Sequence, residues 1–256
     1  MPKQRKYGRN QPPPLPFHRM LKLPATTYSN VDLRGYCGPI KDQGSFGACT
    51  GFAGTSAAEW IFRAYFQKDP VFTPFYTYVK ELQADGNFPN DVGSDGETLC
   101  ETLIVNGCCE QYLNEDQKIE LPTQKETGNA AAWRMGAYHG IADSTTALSV
   151  LADPVPWPIL VGFDVYESLE SDEVAETGIY NPQPGEALLG GHEVLIVGAD
   201  VGRSPILRPV ECPAAFLAQN SWGESFGLKG FFWMATSILD SSTTDMKIIH
   251  SGSPWK

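Results

Sequence analysis

The sequence predicts an α+β fold, with helices concentrated in the first half of the chain and strands in the second. Three runs in the first half have helix-forming composition, and four runs in the second half are short, apolar and rich in β-branched or aromatic residues. The character of the sequence changes near residue 125. Segregated helices and strands are typical of α+β proteins, whereas regular alternation would indicate a parallel α/β sheet.

The predicted elements follow one another in a simple order. Helices are expected at residues 53–66, 72–82 and 97–106. Gly107 follows the third helix in the position where glycine commonly ends one. Strands are expected at residues 157–165, 193–197, 217–220 and 231–235. We therefore divide the chain into an N-terminal arm (1–30), a mainly helical part (31–125) and a mainly β part (126–256).

The composition is that of a compact domain and excludes some classes of partner. The 256 residues are 42% hydrophobic and 19% charged, which provides enough apolar side chains for a substantial core. The formal net charge of -11 argues against nucleic acid as a partner, because nucleic-acid binding requires a basic face. No apolar run approaches the roughly 20 residues that span a bilayer, so no membrane span is expected.

Cys49 is the first candidate for chemistry because it lies at the start of the first predicted helix. In the segment Gly-Ala-Cys-Thr-Gly, free backbone N–H groups and the positive end of the helix dipole favour the thiolate. Gln43, six residues earlier, has a side-chain amide that can stabilise negative charge on an attacked carbonyl oxygen. A lone cysteine in this position is more often a small buried hydrophobic residue, so further evidence is needed.

The second half of the chain supplies partners for this cysteine. His192 lies in an apolar strand-like run after two glycines, and Gly191 leaves the backbone accessible to a substrate or a facing strand. Asn220 lies in the segment Asn-Ser-Trp-Gly, and its side-chain carbonyl can orient the imidazole of a histidine that deprotonates the cysteine. Each residue alone has an ordinary structural explanation, but together and in this order they indicate a catalytic group.

These residues resemble the papain family of cysteine peptidases. Three segments match family motifs: Gln-Gly-x-x-Gly-x-Cys ending at Cys49, Asn-Ser-Trp-Gly beginning at Asn220, and Val-Asp-Leu-Arg at residues 31–34. The spacing from Cys49 to His192 falls within the roughly 130–150 residues found in the family, whereas Asn220 lies beyond it and indicates an enlarged loop. The resemblance covers about residues 30–240.

The resemblance implies a papain-like two-lobe fold and assigns a role to each candidate residue. A helical N-terminal lobe would face an antiparallel, β-barrel-like C-terminal lobe, with the active site in the cleft between them. By this resemblance Cys49 is the nucleophile, His192 the general base and acid, and Asn220 the residue that orients it. Gln43 would be an oxyanion donor, and Trp222 would shield the His–Asn hydrogen bond from water.

Three departures from the family pattern favour its bacterial, archaeal or viral branches over plant papains and lysosomal cathepsins. Phe46 occupies a position where plant and animal members carry a disulfide cysteine, and Thr50 stands where tryptophan is usual. Glu193 replaces the usual alanine after the histidine. On a strand, the Glu193 side chain would point to the face opposite His192 and would not disturb the imidazole.

The resemblance also suggests where a substrate binds. Five residues are predicted to contact it: Gly93, Ser94, Asp95, Gly191 and Trp222. Gly93 and Ser94 would pair through their backbones with an extended peptide. Asp95 would lie near the pocket for the second residue before the cut, although it can equally cap the following helix. The acidic run between Glu167 and Glu176 would attract basic peptides if it lies at the rim of the cleft.

The predicted function is a cysteine peptidase that cleaves peptide bonds through an acyl-enzyme intermediate. Two alternatives use the same fold: an acyl transferase or ligase that passes the acyl group to an amine, and a catalytically silent peptide-binding relative. The silent relative has no support, since every catalytic position is filled. Neither a cofactor nor a metal is expected, because none of the four histidines has ligand-like spacing with another. The expected partner is a peptide or protein substrate.

The six cysteines favour a mostly reduced chain. If Cys49 is a catalytic thiol, five remain, and five cannot all pair within one chain. Cys108 and Cys109 are adjacent, an awkward arrangement for two separate disulfides. The other cysteines are Cys37, Cys100 and Cys212.

The N-terminal arm is basic and proline-rich, while the rest of the chain is acidic. We expect part of residues 8–28 to dock along or near the cleft and damp activity, because prolines lower the entropy cost of lying extended. A disordered tail is the alternative. The arm is too short for the helical pro-domain of the lysosomal relatives. Its basic start is followed by no apolar segment, which predicts no ordinary signal peptide and either a cytoplasmic location or a non-standard export route.

Overall fold

The computed structural model describes residues 5–12, 20–21, 23, 30–114, 117–201 and 215–251. The helices among these residues are α1 (Cys49–Phe66), α2 (Pro74–Ala84), α3 (Gly96–Val105), α4 (Gln124–Ala130), α5 (Ser144–Leu151), α6 (Asp172–Thr177) and α7 (Thr236–Leu239). The strands are β1 (Met20–Leu21), β2 (Val31–Asp32), β3 (Ala137–Ile141), β4 (Ile159–Tyr166), β5 (Ile179–Tyr180), β6 (Leu188–Asp200), β7 (Ala215–Gln219), β8 (Phe231–Ala235) and β9 (Asp245–His250). Within the described part of the chain, no helix is long and apolar enough to cross a bilayer.

Helix α1 is the central helix, and its residues are buried from Cys49 to Phe62. Its glycines allow the neighbouring helices to approach closely. A Cβ atom on Gly51 would lie 2.7 Å from the carbonyl oxygen of Pro74 at the start of α2. A Cβ atom on Gly54 would lie 2.3 Å from the side chain of Leu99 on α3. The small residues of the first turns therefore fix the packing of the helix whose first residue is Cys49.

The strands form one mainly antiparallel sheet in the order β1-β3-β9-β4-β6-β7-β8-β5, with β2 also paired to β6. Strand β6 is long and pairs over its length with β4 and over its second half with β7. Helix α1 packs against β6, so the sheet and the central helix meet at the point where β6 carries His192.

The predicted α+β class is confirmed, but the β-barrel-like description of the second half is wrong, because the sheet is not closed. The end strands β1 and β5 have two residues each and pair with a single neighbour. Two-residue strands are too short to join the edges of a twisted sheet into a barrel.

Each of the three predicted helices and four predicted strands is present, with shifted ends. The sequence analysis did not predict α4 and α5, which lie after the helical first half. It also did not predict that β1, from the arm, pairs with β3, or that β2 pairs with β6. Both short strands carry residues of the first 32 positions onto the sheet of the second half, so the arm and the two predicted halves share hydrogen bonds.

The cysteines of the described residues are free thiols, in agreement with the predicted mostly reduced chain. They are Cys37, Cys49, Cys100, Cys108 and Cys109. Cys212 lies outside the described residues, as does most of the loop that was expected to be enlarged.

Candidate active site

The candidate site lies where the first turn of α1 meets β6. Cys49 is the first residue of α1, and its thiol receives a hydrogen bond from the backbone N–H of Glu193. His192, the residue before it on β6, is fully buried and lies opposite Phe163 of β4. Residues far apart in sequence are thus brought together by the packing of one helix end on one strand.

His192 is hydrogen-bonded to Asn220 through the ring nitrogen Nε2, which lies 2.8 Å from Oδ1 of Asn220. The same oxygen accepts the backbone N–H of Ser221 at 2.8 Å, which fixes the orientation of the asparagine side chain. The other ring nitrogen, Nδ1, has no hydrogen-bond partner among the described residues. An imidazole that donates from Nε2 has a lone pair on Nδ1, which is the nitrogen left to accept a proton from a thiol.

Trp222 covers the hydrogen bond between the histidine and the asparagine. Its ring centroid lies 5.0 Å from that of His192, with 31° between the planes, and the indole is itself buried. Phe226 packs edge-on against the other side of the indole at 4.8 Å. The predicted shielding of this hydrogen bond therefore has a geometric basis, because water has no direct approach from this side.

Gln43 is positioned by three hydrogen bonds. Its backbone N–H donates to the carbonyl oxygen of Ser221 at 2.8 Å, and the Ser221 hydroxyl donates to its side-chain oxygen. Its side-chain nitrogen donates to the carbonyl oxygen of Phe46 at 2.8 Å. An amide nitrogen carries two N–H donors, so one remains for a negatively charged oxygen beside Cys49.

Residues of the N-terminal arm lie across this site. The backbone N–H of Gly8 donates to the thiol of Cys49. The ring of Tyr7 lies 6.5 Å from His192 and 6.4 Å from Trp222, and its hydroxyl donates to Glu170. The guanidinium of Arg5 stacks over the Trp222 ring, 4.0 Å from the centroid. The arm thus covers the thiol, the imidazole and the indole together.

The arm is paired by its backbone to predicted substrate-binding residues. The N–H of Ser94 donates to Gly8 at 2.7 Å, and the N–H of Asn10 donates to the carbonyl of Ser94 at 2.6 Å. On the other side, the N–H of Arg9 donates to the carbonyl of Gly191 at 3.0 Å. A Cβ atom on Gly93 would lie 1.8 Å from the carbonyl oxygen of Gly8, so only glycine permits this approach.

Asp95 lies apart from this arrangement. Its side chain caps α3 by accepting the backbone N–H groups of Glu97 and Thr98 at 2.8 and 3.0 Å. The acid that contacts the arm is Asp245, at the start of β9, which binds the guanidinium of Arg9. Sequence reasoning did not identify Asp245, because nothing in a Thr-Thr-Asp-Met segment marks it before β9 is placed beside β4.

Burial changes the protonation of the candidate pair. It raises the pKa of the Cys49 thiol to about 12, an effect that hydrogen bonds from Glu193 and Gly8 only partly offset. Burial also lowers the pKa of His192 to about 4, and the nearby charge of Arg5 acts in the same direction. With the arm in place, the pair is therefore a neutral thiol and a neutral imidazole.

Comparison with known proteins identifies the family. The family model described as papain family cysteine protease matches residues 96–250, which is more than half of the chain. The chain belongs to the papain family. Cys49 lies before the matched range, whereas His192 and Asn220 lie within it.

Relatives within and around the family agree with the predicted branch. The chain is 28% identical over 207 residues to an uncharacterized peptidase C1-like protein of Acanthamoeba polyphaga mimivirus, covering 75% of this chain and 63% of that relative's length. It is similar in fold to xylellain, a cysteine protease from Xylella fastidiosa, with a TM-score of 0.80, 21% identity and 98% of both chains covered. A digestive procathepsin L 3 of Tenebrio molitor larvae gives a TM-score of 0.71 at 16% identity, over 97% of this chain and 77% of that one.

Proposed function

We propose that this papain-family chain is a cysteine peptidase with Cys49 as nucleophile. The observation that carries the proposal is the pairing of His192 with Asn220 at 2.8 Å, directly beside the first residue of α1. A histidine held by an amide oxygen on one nitrogen and free on the other is the arrangement that general-base activation of a thiol requires. The helix end adds N–H groups that have no partner within the helix.

Each residue then has a step in the reaction. His192 removes the proton from Cys49, and the sulfur attacks the carbonyl carbon of a peptide bond. The amide of Gln43 and the backbone N–H of Cys49 bind the negatively charged oxygen that forms. His192 gives its proton to the departing amine, which leaves an acyl group on the sulfur. Water, deprotonated by His192, releases the acid, while Asn220 keeps the ring oriented throughout.

The test is the loss of peptide hydrolysis in the full-length Cys49→Ala chain. The substitution removes only a sulfur atom at a helix start, so the circular dichroism spectrum and the urea midpoint should stay close to those of the parent chain. A thiol-directed, peptide-like activity probe should label the parent and leave Cys49→Ala unlabelled. Peptide hydrolysis by Cys49→Ala at the parent rate would exclude Cys49 as nucleophile.

We also propose that residues 5–10 of the arm damp this activity. The support is that the arm covers the thiol and imidazole, and that its burial of both groups favours their neutral forms over the reactive thiolate and imidazolium. The free fraction of the site limits the apparent activity, so turnover should rise in proportion to arm release.

A glycine pair provides a matched test of the arm. A Cβ atom on Gly8 would lie 1.8 Å from the carbonyl oxygen of Gly47, whereas one on the exposed Gly35 would meet nothing within 4 Å. Full-length Gly8→Leu should therefore hydrolyse small peptides faster, by roughly 10-fold or more, and Gly35→Leu should match the parent. Equal rates for all three chains would show that the arm does not restrain the site.

A further inference from the structure

The side chain of Arg9 fills a pocket beside the candidate active site. It is 2% exposed, and its guanidinium donates to the carboxylate of Asp245 and, at 3.1 Å, to the backbone carbonyl of Thr243. The backbone of Arg9 is bound between Ser94 on one side and Gly191 on the other. An extended peptide that replaced the arm along the same two segments would place one of its side chains in this pocket.

The pocket is closed at its base by the bare Cα of Gly162 on β4. A Cβ atom there would lie 2.5 Å from Nε of Arg9, 2.6 Å from Oε2 of Glu193 and 2.7 Å from Oδ1 of Asp245. The guanidinium and two carboxylates therefore converge on a single point that only glycine leaves open. Glu193, the residue that departs from the family pattern, contributes its side chain to this pocket rather than to the imidazole beside it.

The charges of the pocket balance only when a cation occupies it. Asp245 is already paired with the ammonium of Lys247, which is itself buried. Glu193 is 1% exposed, and neither of its carboxylate oxygens has a hydrogen-bond partner among the described residues. Without Arg9, two buried carboxylates face one ammonium, and buried charges require a partner of opposite sign.

A guanidinium suits this geometry better than an ammonium. Its planar fork presents donors in two directions, so one group can face Asp245 and Glu193 together, whereas the ammonium of lysine is a point charge. The residue before Arg9, Gly8, contacts the thiol of Cys49, so the pocket lies one residue away from the nucleophile. The Ser94 segment that borders it is the one predicted to hold the second residue before the cut.

We infer that Glu193 and Asp245 form a specificity pocket that selects substrates with arginine as the second residue before the scissile bond, and that Arg9 occupies this pocket in the arm-bound chain. The inference rests on the proposed peptidase function for the meaning of a cut. Its binding component concerns the pocket alone and can be measured without turnover.

The first experiment measures peptide binding to an inactive chain whose arm is released. The full-length Cys49→Ala chain also carries Gly8→Leu and Arg9→Ala, which prevent arm docking and vacate the pocket. Three labelled peptides differ only at the tested residue, which is arginine, its uncharged isostere citrulline, or leucine. Arginine should bind on the order of 10- to 100-fold more tightly than citrulline, because charge-assisted hydrogen bonds to buried carboxylates are lost in citrulline. Equal dissociation constants for arginine and citrulline, or no binding of any peptide, would overturn the inference.

Variants of the pocket then assign the preference to particular residues. Asp245→Asn and Glu193→Gln should each reduce the ratio of arginine to citrulline affinity, with circular dichroism used to confirm folding. Glu173→Gln removes one charge from an exposed position on α6 and serves as the control, so the ratio should stay unchanged. A ratio that falls equally in Glu173→Gln would show a general effect of net charge and would contradict a specific pocket.

Turnover separates this inference from the proposed function. The same released chain with Cys49 restored should hydrolyse the arginine peptide with the higher kcat/KM, in about the ratio found for binding. Preferential binding of arginine without hydrolysis would refute the peptidase proposal and leave the pocket in place. Hydrolysis with no preference for arginine would refute the pocket and leave the peptidase proposal in place.

Discussion

His192 is the residue whose environment decides the reactivity of the site. One ring nitrogen is bound to Asn220, and the other is free and buried under Tyr7. Burial disfavours the imidazolium, and the same burial disfavours the thiolate of Cys49. A nucleophile and its base that are both held neutral are poorly reactive, so the arm can restrain the site without displacing a catalytic residue.

Asn220→Ala tests the role of the orienting residue. The ring would lose its hydrogen bond at Nε2 but keep its position on β6, so the proton acceptor would be present and poorly aligned. We expect kcat/KM for a small peptide to fall roughly 10²-fold in the arm-released chain, with hydrolysis still detectable. An unchanged kcat/KM in steady-state assays would show that another group orients His192.

At the same scale, the sequence was sufficient for the residues that carry motifs and insufficient for those that do not. Cys49, His192 and Asn220 were identified from short segments, because helix starts and strand ends are local features. Asp245 was missed and Asp95 was offered instead, since only the pairing of β9 with β4 brings Asp245 to the cleft. Long-range pairing leaves no local signal in a single sequence.

At the scale of elements, the arm behaves as a strand-like segment whose docking depends on protonation. Docking lowers the pKa of His192 to about 4, whereas an exposed histidine titrates near 6.5. Between these values the released state binds a proton that the docked state does not, so docking weakens as the pH falls from about 6.5 to 4. Other charged groups facing the arm are Arg5, which repels the imidazolium, and the carboxylates of Asp91 and Glu170, which bind Lys6 and Tyr7.

This linkage predicts different titrations of His192 in two chains. By NMR of the imidazole, the parent chain should show a midpoint well below that of Gly8→Leu, because only the parent keeps the ring buried under the arm. His192→Gln, which lacks the signal, assigns the resonance among the four histidines. Identical midpoints in the parent and Gly8→Leu would mean that the arm does not control the burial of the ring.

Helix α1 contains a buried acid that should dominate its contribution to stability. Glu59 is fully buried and accepts hydrogen bonds from Lys41 at 2.5 Å and from the backbone N–H of Phe72 at 2.8 Å. Arg63, one turn later, lies 3.7 Å from its second oxygen. Glu59 therefore ties α1 to the segments before and after it.

Glu59→Ala should lower the free energy of unfolding by about 3–5 kcal/mol, because it leaves buried cations and a backbone donor without their partner. Urea denaturation followed by circular dichroism measures the change. Glu101→Ala, on the exposed face of α3, is the matched control and should change stability by less than about 0.5 kcal/mol. A similar small effect for both variants would contradict a structural role for Glu59.

The predicted elements were those with strong local patterns, and the errors have physical causes. Helix α1 and strand β8 were found because their runs of apolar residues are long and uninterrupted. Helix α5 was missed because its segment, Ser-Thr-Thr-Ala-Leu-Ser-Val-Leu, is short and rich in residues with modest helix propensity. The barrel was an expectation from the family resemblance, and the two-residue end strands do not allow it.

At the scale of the whole molecule, residues near the amino terminus complete both the sheet and the cleft. Strands β1 and β2 add hydrogen bonds to β3 and β6, while residues 5–10 cover the site where β6 meets α1. The arm carries positive charge onto a chain with a net charge of -11, so its attraction to acidic groups at the rim of the cleft has a global as well as a local component. Release of one segment is therefore expected to expose the nucleophile, the imidazole and the Arg9 pocket in a single step.

The most direct test of covalent catalysis at this site is mass spectrometry of the acyl-enzyme. The arm-released chain is mixed with an activated peptidyl ester, quenched in acid within milliseconds and digested. The account predicts an acyl adduct on the peptide that contains Cys49, labile to hydroxylamine as a thioester should be, and absent from the peptides that carry Cys37, Cys100, Cys108 and Cys109. Turnover of the ester with no adduct on Cys49, or with the adduct on another residue, would contradict it.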